Sequence, residues 1–167
     1  LPLVSYLSSH NGVQALVHPE GVYDDPKGGR LREFLYYRLR YHFQFQNSLM
    51  LFPIAHRAKY SLNIYGPRKK PNFTHLANLF HPKTIDACFL HDGNEAVGGI
   101  KTEDNQWNTA GHKQRLVFVN EEILNSFVDL YDEPGTSPLQ ARLPALHSRQ
   151  LESVIKKLSS SQKHLGD

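Results

Sequence analysis

The stretch Tyr41-His-Phe-Gln-Phe-Gln-Asn47, followed after a short loop by Lys59-Tyr-Ser-Leu-Asn-Ile-Tyr-Gly66, contains the patterns that decide the fold. Both segments alternate apolar and polar residues, which is the period of a half-buried β-strand. We predict strands within 42–52 and 60–65. The loop around Pro53 to Arg57 is too short for the crossover that parallel strands need, so the two strands are expected to form an antiparallel hairpin.

An apolar run and a helix precede this hairpin. Residues 13–17 form a short apolar run, which is typical of a buried strand. The Asp-Asp-Pro and Gly-Gly pairs within 23–29 indicate a loop, and the apolar residues of 31–39 recur at helical spacing. Residues 1–9 have the pattern of the end of a helix, which Asn11 would stop.

Beyond Lys70 the sequence predicts alternating short elements. The spacing of the apolar residues favours a helix over 73–80, and apolar runs favour strands over 84–90, 96–100 and 115–119. The chain is therefore expected to continue as a small α+β region.

Two further helices are predicted near the carboxyl end of the chain. Asn120 is a good N-cap for a helix over 121–131, with two acids in its first turn. A connector with Pro and Gly covers 133–144. Ser148 then caps a last helix whose apolar stripe runs over 151–158.

Composition limits the class of protein. With 167 residues and 40% hydrophobic side chains, the chain can bury one real core. The single cysteine, Cys88, excludes an internal disulfide framework and favours the cytoplasm. No apolar run approaches the roughly 20 residues of a membrane span, and the first residues given do not show the basic, apolar and small-residue pattern of a secretory signal. Because the chain begins at Leu1, not Met, and is apolar there, we expect a fragment of a longer polypeptide.

Positive charge is concentrated in one segment. Between residues 27 and 70 there are ten basic residues against one acid, Glu33, and the rest of the chain is net acidic. The ten are Lys27, Arg30, Arg32, Arg38, Arg40, Arg57, Lys59, Arg68, Lys69 and Lys70. On folded structure this charge predicts a positive face that attracts phosphate backbones.

Several motifs together resemble one family. The run from Ala15 to Leu35 contains Val-His-Pro-Glu-Gly-Val-Tyr-Asp-Asp-Pro-Lys-Gly-Gly-Arg-Leu-Arg, and the two hairpin segments follow it. This order resembles the large adenine-specific DNA methyltransferases of type II restriction-modification and related phage-defence systems. The stretches 78–86, 91–93, 98–101 and 107–115 look like the region that follows the sheet in those proteins.

The resemblance implies an α/β fold. Residues 1–70 would form the distal half of a Rossmann-type S-adenosylmethionine methyltransferase sheet with a closing antiparallel hairpin. Residues 71–167 would form an α+β extension toward target recognition. The expected partners are double-stranded DNA and the upstream methyltransferase half of the same polypeptide, without a membrane.

The reaction chemistry itself is missing from this sequence. The family needs a Gly-containing turn after its first strand and an Asn-Pro-Pro-aromatic motif, and neither occurs here. Gly98-Gly99 lacks the strand and helix of a cofactor loop. We therefore expect S-adenosylmethionine to bind in the parent protein, with no catalytic, cofactor or metal residue in this fragment and no activity of the fragment alone.

The remaining candidates are residues that support binding. Ligand sites of open α/β sheets lie at the carboxyl ends of strands, and enzymes that act on a base hold it by stacking. Tyr23, after the first strand, is the candidate for base stacking, and the alternative is that it packs on the next helix. The candidate phosphate contacts are Lys27, Arg30, Arg68, Lys69 and Lys70.

Three alternatives remain open. A zinc site would use His75, His81, Cys88 and His91. A metal-dependent nuclease would use Asp86, Asp92, Glu95 and Lys101. A non-enzymatic nucleic-acid-binding module needs only the positive face and aromatic side chains.

Overall fold

The computed structural model describes residues 11–150, 154 and 157. The five strands are β1 (Gln14–Pro19), β2 (Leu39–Gln46), β3 (Lys59–Tyr65), β4 (Asn72–Leu79) and β5 (Val117–Asn120). The four helices are α1 (Gly21–Asp24), α2 (Gly29–Tyr36), α3 (Lys83–Leu90) and α4 (Glu121–Tyr131). The helix end predicted over 1–9 lies outside the described residues. Of the last predicted helix, residues 149, 150, 154 and 157 are described and helical.

The strands form one mixed sheet in the order β1-β3-β2-β4-β5. β3 is antiparallel to both β1 and β2, so β1 and β2 are parallel to each other with β3 between them. β4 then pairs parallel to β2, and β5 pairs antiparallel to β4. The predicted antiparallel hairpin is confirmed, and the sheet continues across residue 70 without interruption.

The strand registers define two edges of the sheet. At the carboxyl edge, the ends of β1 and β2 lie beside the start of β3, since Pro19 pairs with Tyr60 and Gln46 with Lys59. At the amino edge, the starts of β1 and β2 lie beside Tyr65 at the end of β3. The seven residues of β3 separate these edges by about 20 Å.

Helices cover both faces of the sheet. On one face, α2, α4 and the connector 133–147 bury a core that includes Tyr36, Phe73 and Phe127. On the other face, α3 contributes Cys88 to a second cluster with Phe43 and Leu76. The molecule is therefore an α/β fold with a helical layer on each side of a mixed sheet.

Two predicted elements have the opposite secondary structure. Of residues 73–80, predicted as a helix, 73–79 belong to strand β4, and 84–90, predicted as a strand, belong to helix α3. β4 is buried on both faces, so it lacks the polar alternation that marks a strand. In α3 only Thr84 and Cys88 are fully buried, at the i, i+4 spacing of a helix face.

Other predicted helices and strands are confirmed, some of them with shorter bounds, and one predicted strand does not form. Asn120 caps α4, because its side-chain oxygen accepts a hydrogen bond from the backbone N–H of Ile123 at 3.0 Å. The predicted strand over 115–119 corresponds to β5, and the strand predicted within 42–52 is β2, which ends at Gln46. Residues 96–100 form no strand.

Within the part of the chain that the structure describes, no helix is both long enough and apolar enough to cross a bilayer.

Candidate nucleic-acid interface

The structure divides the basic residues of the segment 27–70 between the two edges of the sheet. Lys27 and Arg30 follow the end of β1, Arg57 precedes β3 and Lys59 is its first residue, so these four belong to the carboxyl edge. The other group lies where α2 ends, β2 begins and β3 ends, at the amino edge. We call it the amino-edge cluster; it consists of Arg38, Arg40, Arg68, Lys69 and Lys70.

Backbone and aromatic contacts hold the amino-edge cluster in place. The backbone N–H of Lys69 donates to the carbonyl of Tyr37 at 2.9 Å, and the Arg68 guanidinium lies 3.9 Å from the centre of the Tyr37 ring. Arg40 donates to the carbonyls of Arg38 and Pro67. These contacts fix the loop while leaving residues 68–70 exposed.

Arg32 belongs to neither group, because it is only 1% exposed. Its guanidinium donates to three backbone carbonyls, those of Gln140 at 2.9 Å, Val22 at 3.2 Å and Asp25 at 2.6 Å. This side chain therefore ties α2 to the connector and to the loop after α1. It is structural and offers no charge to a ligand.

The remaining basic residues lack acidic partners. Among residues 11–150, ion pairs involve only His42, His91 and Arg142 on the positive side. No Lys or Arg of the segment 27–70 is paired with a carboxylate there. Their charge is consequently available to an anionic ligand.

Tyr23 is placed in the core. It is 0% exposed, and its hydroxyl lies 2.7 Å from that of Tyr65. Its ring contacts those of Tyr36 and His42, with centroids 6.2 and 4.4 Å away. The aromatic ring thus packs against the following helix, and stacking on a base would require it to leave this packing.

A buried polar chain connects the end of β1 to the connector. Glu20 Oε1 lies 3.2 Å from His42 Nε2, at ion-pair distance without good hydrogen-bond alignment. His42 Nδ1 and His75 Nδ1 are 2.9 Å apart, and His75 Nε2 is 3.1 Å from the carbonyl of Pro144. Both imidazoles are fully buried. This chain crosses the sheet from β1 through β2 to β4.

The geometry determines where the protons of this chain lie. The Pro144 carbonyl only accepts, so His75 Nε2 carries a proton and His75 Nδ1 accepts one from His42 Nδ1. Burial favours the neutral acid of Glu20, but its contacts with His42, Ser61 and Gln44 lower the Glu20 pKa below its usual value. Glu20 and His42 therefore lie at ion-pair distance in the core, beside His75, whose pKa is lowered by burial.

An apolar groove opens at the carboxyl edge. Its volume is about 330 Å³, and its lining includes Val17, Pro19, Phe52, Ile54 and Tyr60. Phe52 is 43% exposed and makes an edge-on contact with the Tyr60 ring, with centroids 5.0 Å apart. Phe52 therefore presents an exposed aromatic ring at the edge where ligands of α/β sheets bind.

Asn47 organises the loop that carries Phe52. This residue is fully buried, and its amide nitrogen donates to the carbonyls of Phe52 and Ile54, both at 2.9 Å. Its amide oxygen accepts from the backbone N–H of Phe52 at 3.1 Å. One side chain thus replaces the regular backbone bonds that the loop lacks.

The two metal-site alternatives do not assemble. Among the described residues, no group of three or more His, Cys, Asp and Glu side chains is arranged to hold a metal ion. Of the zinc candidates, His75 lies in the buried chain and Cys88 accepts from the backbone N–H of His112. Of the nuclease candidates, Asp92 caps a turn at Asn94, and Lys101 lies over the Trp107 ring.

Comparison with protein-family models, curated proteins and solved structures finds no match for this chain. Functional inference therefore depends on the geometry and on the motifs of the sequence.

Sequence reasoning missed Phe52 and the His42–His75 pair. Phe52 lies beside Pro53 at the end of an apolar run, and its role depends on the loop that Asn47 shapes. The two histidines are 33 residues apart and meet only because β2 pairs with β4. The one signal in the sequence was the presence of His and Gln at interior positions of a strand, where polar residues need partners.

Proposed function

We propose that this chain is the distal part of an S-adenosylmethionine-dependent adenine-specific DNA methyltransferase, in which it completes the sheet and contacts DNA. One observation carries the proposal: β3 lies antiparallel between the parallel strands β1 and β2. That is how a strand, a helix and a hairpin would close one side of such a sheet. The motifs from Ala15 to Gly66 resemble this part of the family in the same order.

The position of β1 in the sheet supports a partner on its other side. β1 pairs with β3 alone among the described strands, and Val13 and Val17 are 70% and 56% exposed. Open strands with exposed apolar side chains readily pair with another strand. Under this proposal the upstream half of the same polypeptide continues the sheet there and supplies the cofactor site and the catalytic motif. S-adenosylmethionine, when bound by that half, supplies the methyl group.

The carboxyl edge provides the DNA contacts in this proposal. Phe52 takes the stacking role that the sequence suggested for Tyr23, because Phe52 is exposed and Tyr23 is not. An extruded base held in the groove beside Pro19 would stack on this ring. Lys27, Arg30, Arg57 and Lys59 would contact the phosphates on either side.

Phe52→Ala tests the site. In the product of the complete reading frame that encodes this chain, we expect transfer of a labelled methyl group to duplex DNA to fall roughly 10- to 100-fold, because one base-stacking contact is lost. Phe89→Ala, which removes a similarly exposed ring on α3 beside Tyr41, is the matched control and should leave the rate unchanged.

Two results would oppose the proposal. If the complete product forms no N6-methyladenine, the methyltransferase assignment fails. If methylation persists and Phe52→Ala has no effect, the assignment stands but the groove is not the base site.

A second candidate, a non-enzymatic nucleic-acid-binding module, is favoured by the unpaired cations alone. A salt titration of duplex binding measures their role. If about five cations contact phosphates, the plot of log affinity against log salt should have a slope of roughly −4 to −5. This slope without methyl transfer would favour the second candidate, and a flat response would exclude phosphate contacts by this chain.

A further inference from the structure

Part of the sheet near the amino edge is left uncovered by α3. The strand registers place Tyr41 beside Thr74 and Thr74 beside Phe118, in one row across β2, β4 and β5. Tyr41 is 36% exposed, Phe118 51% and Thr74 8%. Two exposed aromatic side chains therefore flank a recessed polar floor, about 10 Å apart because neighbouring strands are about 4.8 Å apart.

Basic side chains border this row. A cleft of about 470 Å³ is lined by Tyr41, Thr74 and Phe118 together with Arg40, Lys69 and Asn72. Arg149 extends the basic border on the other side, where its guanidinium lies 4.2 Å from the centre of the Phe118 ring. We call this cleft the aromatic cleft.

Two acidic residues lie near the aromatic cleft, at the start of α4. Glu121 and Glu122 begin α4 directly after the end of β5. They place negative charge just beyond the end of β5, so the positive charge around the cleft comes from Arg40, Lys69 and Arg149.

We propose that the aromatic cleft binds single-stranded nucleic acid. Proteins bind unpaired strands by stacking bases on aromatic side chains and by placing cations along the backbone, and the cleft combines both. Asn72 and Thr74 provide hydrogen-bonding groups between the rings. A duplex hides its base faces, so it would use the cations but not the rings.

A lipid surface fits the cleft less well. Membrane-binding surfaces insert projecting apolar side chains below the headgroups. Here the aromatic side chains border a recess whose floor is polar. The observations therefore favour an unpaired strand over an anionic bilayer.

This site is separate from the base groove of the proposed methyltransferase. The amino edge lies about 20 Å from the carboxyl edge along β3. The cleft uses no residue that the methyl-transfer proposal needs, so either proposal can fail without the other.

Binding of a fluorescein-labelled 15-nucleotide oligothymidine, followed by anisotropy, tests the cleft directly. We expect the chain to bind this strand more tightly than a duplex of equal length. The double variant Tyr41→Ala/Phe118→Ala should weaken binding at least roughly tenfold, since each lost stacking contact is worth a factor of about 5 to 100. Tyr131→Ala removes a comparably exposed ring at the end of α4, outside both proposed sites, and is the control that should bind normally.

Lys69→Gln provides a second readout that does not depend on the aromatic residues. This exposed side chain has no packing role, and its loss should reduce the salt slope for the single strand by about 0.7. Equal affinity for single strand and duplex, unchanged binding by the double variant, or equal weakening by Tyr131→Ala would each overturn the proposal. So would binding to phosphatidylserine vesicles that is lost in the double variant when the oligonucleotide does not bind.

Discussion

Replacing Arg32 by methionine is expected to lower the free energy of unfolding of this chain by about 3–5 kcal/mol. The guanidinium donates to the carbonyls of Val22, Asp25 and Gln140 from a position that is 1% exposed. Hydrogen bonds from a charged donor are stronger than neutral ones, and methionine would leave all three carbonyls without it. Urea denaturation followed by circular dichroism measures the loss.

Arg30→Met is the matched control for this prediction. Arg30 is exposed on the same helix, two residues earlier, so its replacement should change the unfolding free energy by no more than about 0.5 kcal/mol. Equal stability of the two variants would show that the buried guanidinium does not hold the connector.

Acid is expected to destabilise the fold from about pH 6.5 downward. Burial, together with a smaller electrostatic effect of His42, lowers the pKa of His75 to about 3 in the folded chain. An unfolded histidine titrates near pH 6.5, so between these values the unfolded state binds a proton at this residue that the folded state does not. The contribution of His75 to stability is therefore complete above pH 6.5 and falls by about 1.4 kcal/mol per pH unit below it.

The total loss by pH 4 should be on the order of 3 kcal/mol from His75 alone. His18 and His147, whose pKa values burial also lowers, act in the same direction. The pKa of Glu20 is lowered as well, so its contribution is likewise lost as the pH falls below the usual range of a carboxyl group.

His75→Gln separates the contribution of His75 from these others. Unfolding free energies measured in urea between pH 4 and 8 should show a dependence on pH that is smaller by about one proton in this variant. His56→Gln, at an exposed position, should retain the wild-type dependence. If both variants match the wild type, His75 is not held neutral by its surroundings.

The buried chain of Glu20, His42 and His75 gives this pH dependence a structural meaning. It joins the turn after β1 to Pro144 in the connector, across two other strands of the sheet. Because Glu20 immediately follows β1, this buried polar chain also fixes the end of the strand that borders the groove of Phe52. Loss of the His75 contact should therefore loosen the carboxyl edge before the rest of the sheet.

Local patterns predicted those elements whose apolar residues recur with a clear period. The helix α4 has a capping residue and a clear apolar stripe, and the hairpin strands have alternation and a connecting loop that is too short for a crossover. The predictions for the segments of β4 and α3 were wrong for opposite reasons. β4 is buried on both faces, so its pattern carries no period, and α3 has exposed apolar residues, including Phe89 and Leu90, that imitate a buried strand.

The sequence predicts how much positive charge the segment 27–70 carries but not where each basic side chain lies in the fold. The sequence correctly identifies residues 27–70 as the basic segment, because composition needs no coordinates. The direction in which each side chain points depends on where the chain turns. Arg32 lies inside the molecule, and Lys27 and Arg68 lie at opposite edges of the sheet although one short segment contains both.

The sequence by itself determined the hairpin, the helix α4 and the excess of positive charge, since each depends on the period or content of neighbouring residues. Only the tertiary structure decided that β4 extends the sheet beside β2, that His42 meets His75, that Tyr23 is buried and that Phe52 is exposed. These outcomes come from contacts between residues far apart in the chain. Their energies depend on pairing and burial, which no local pattern records.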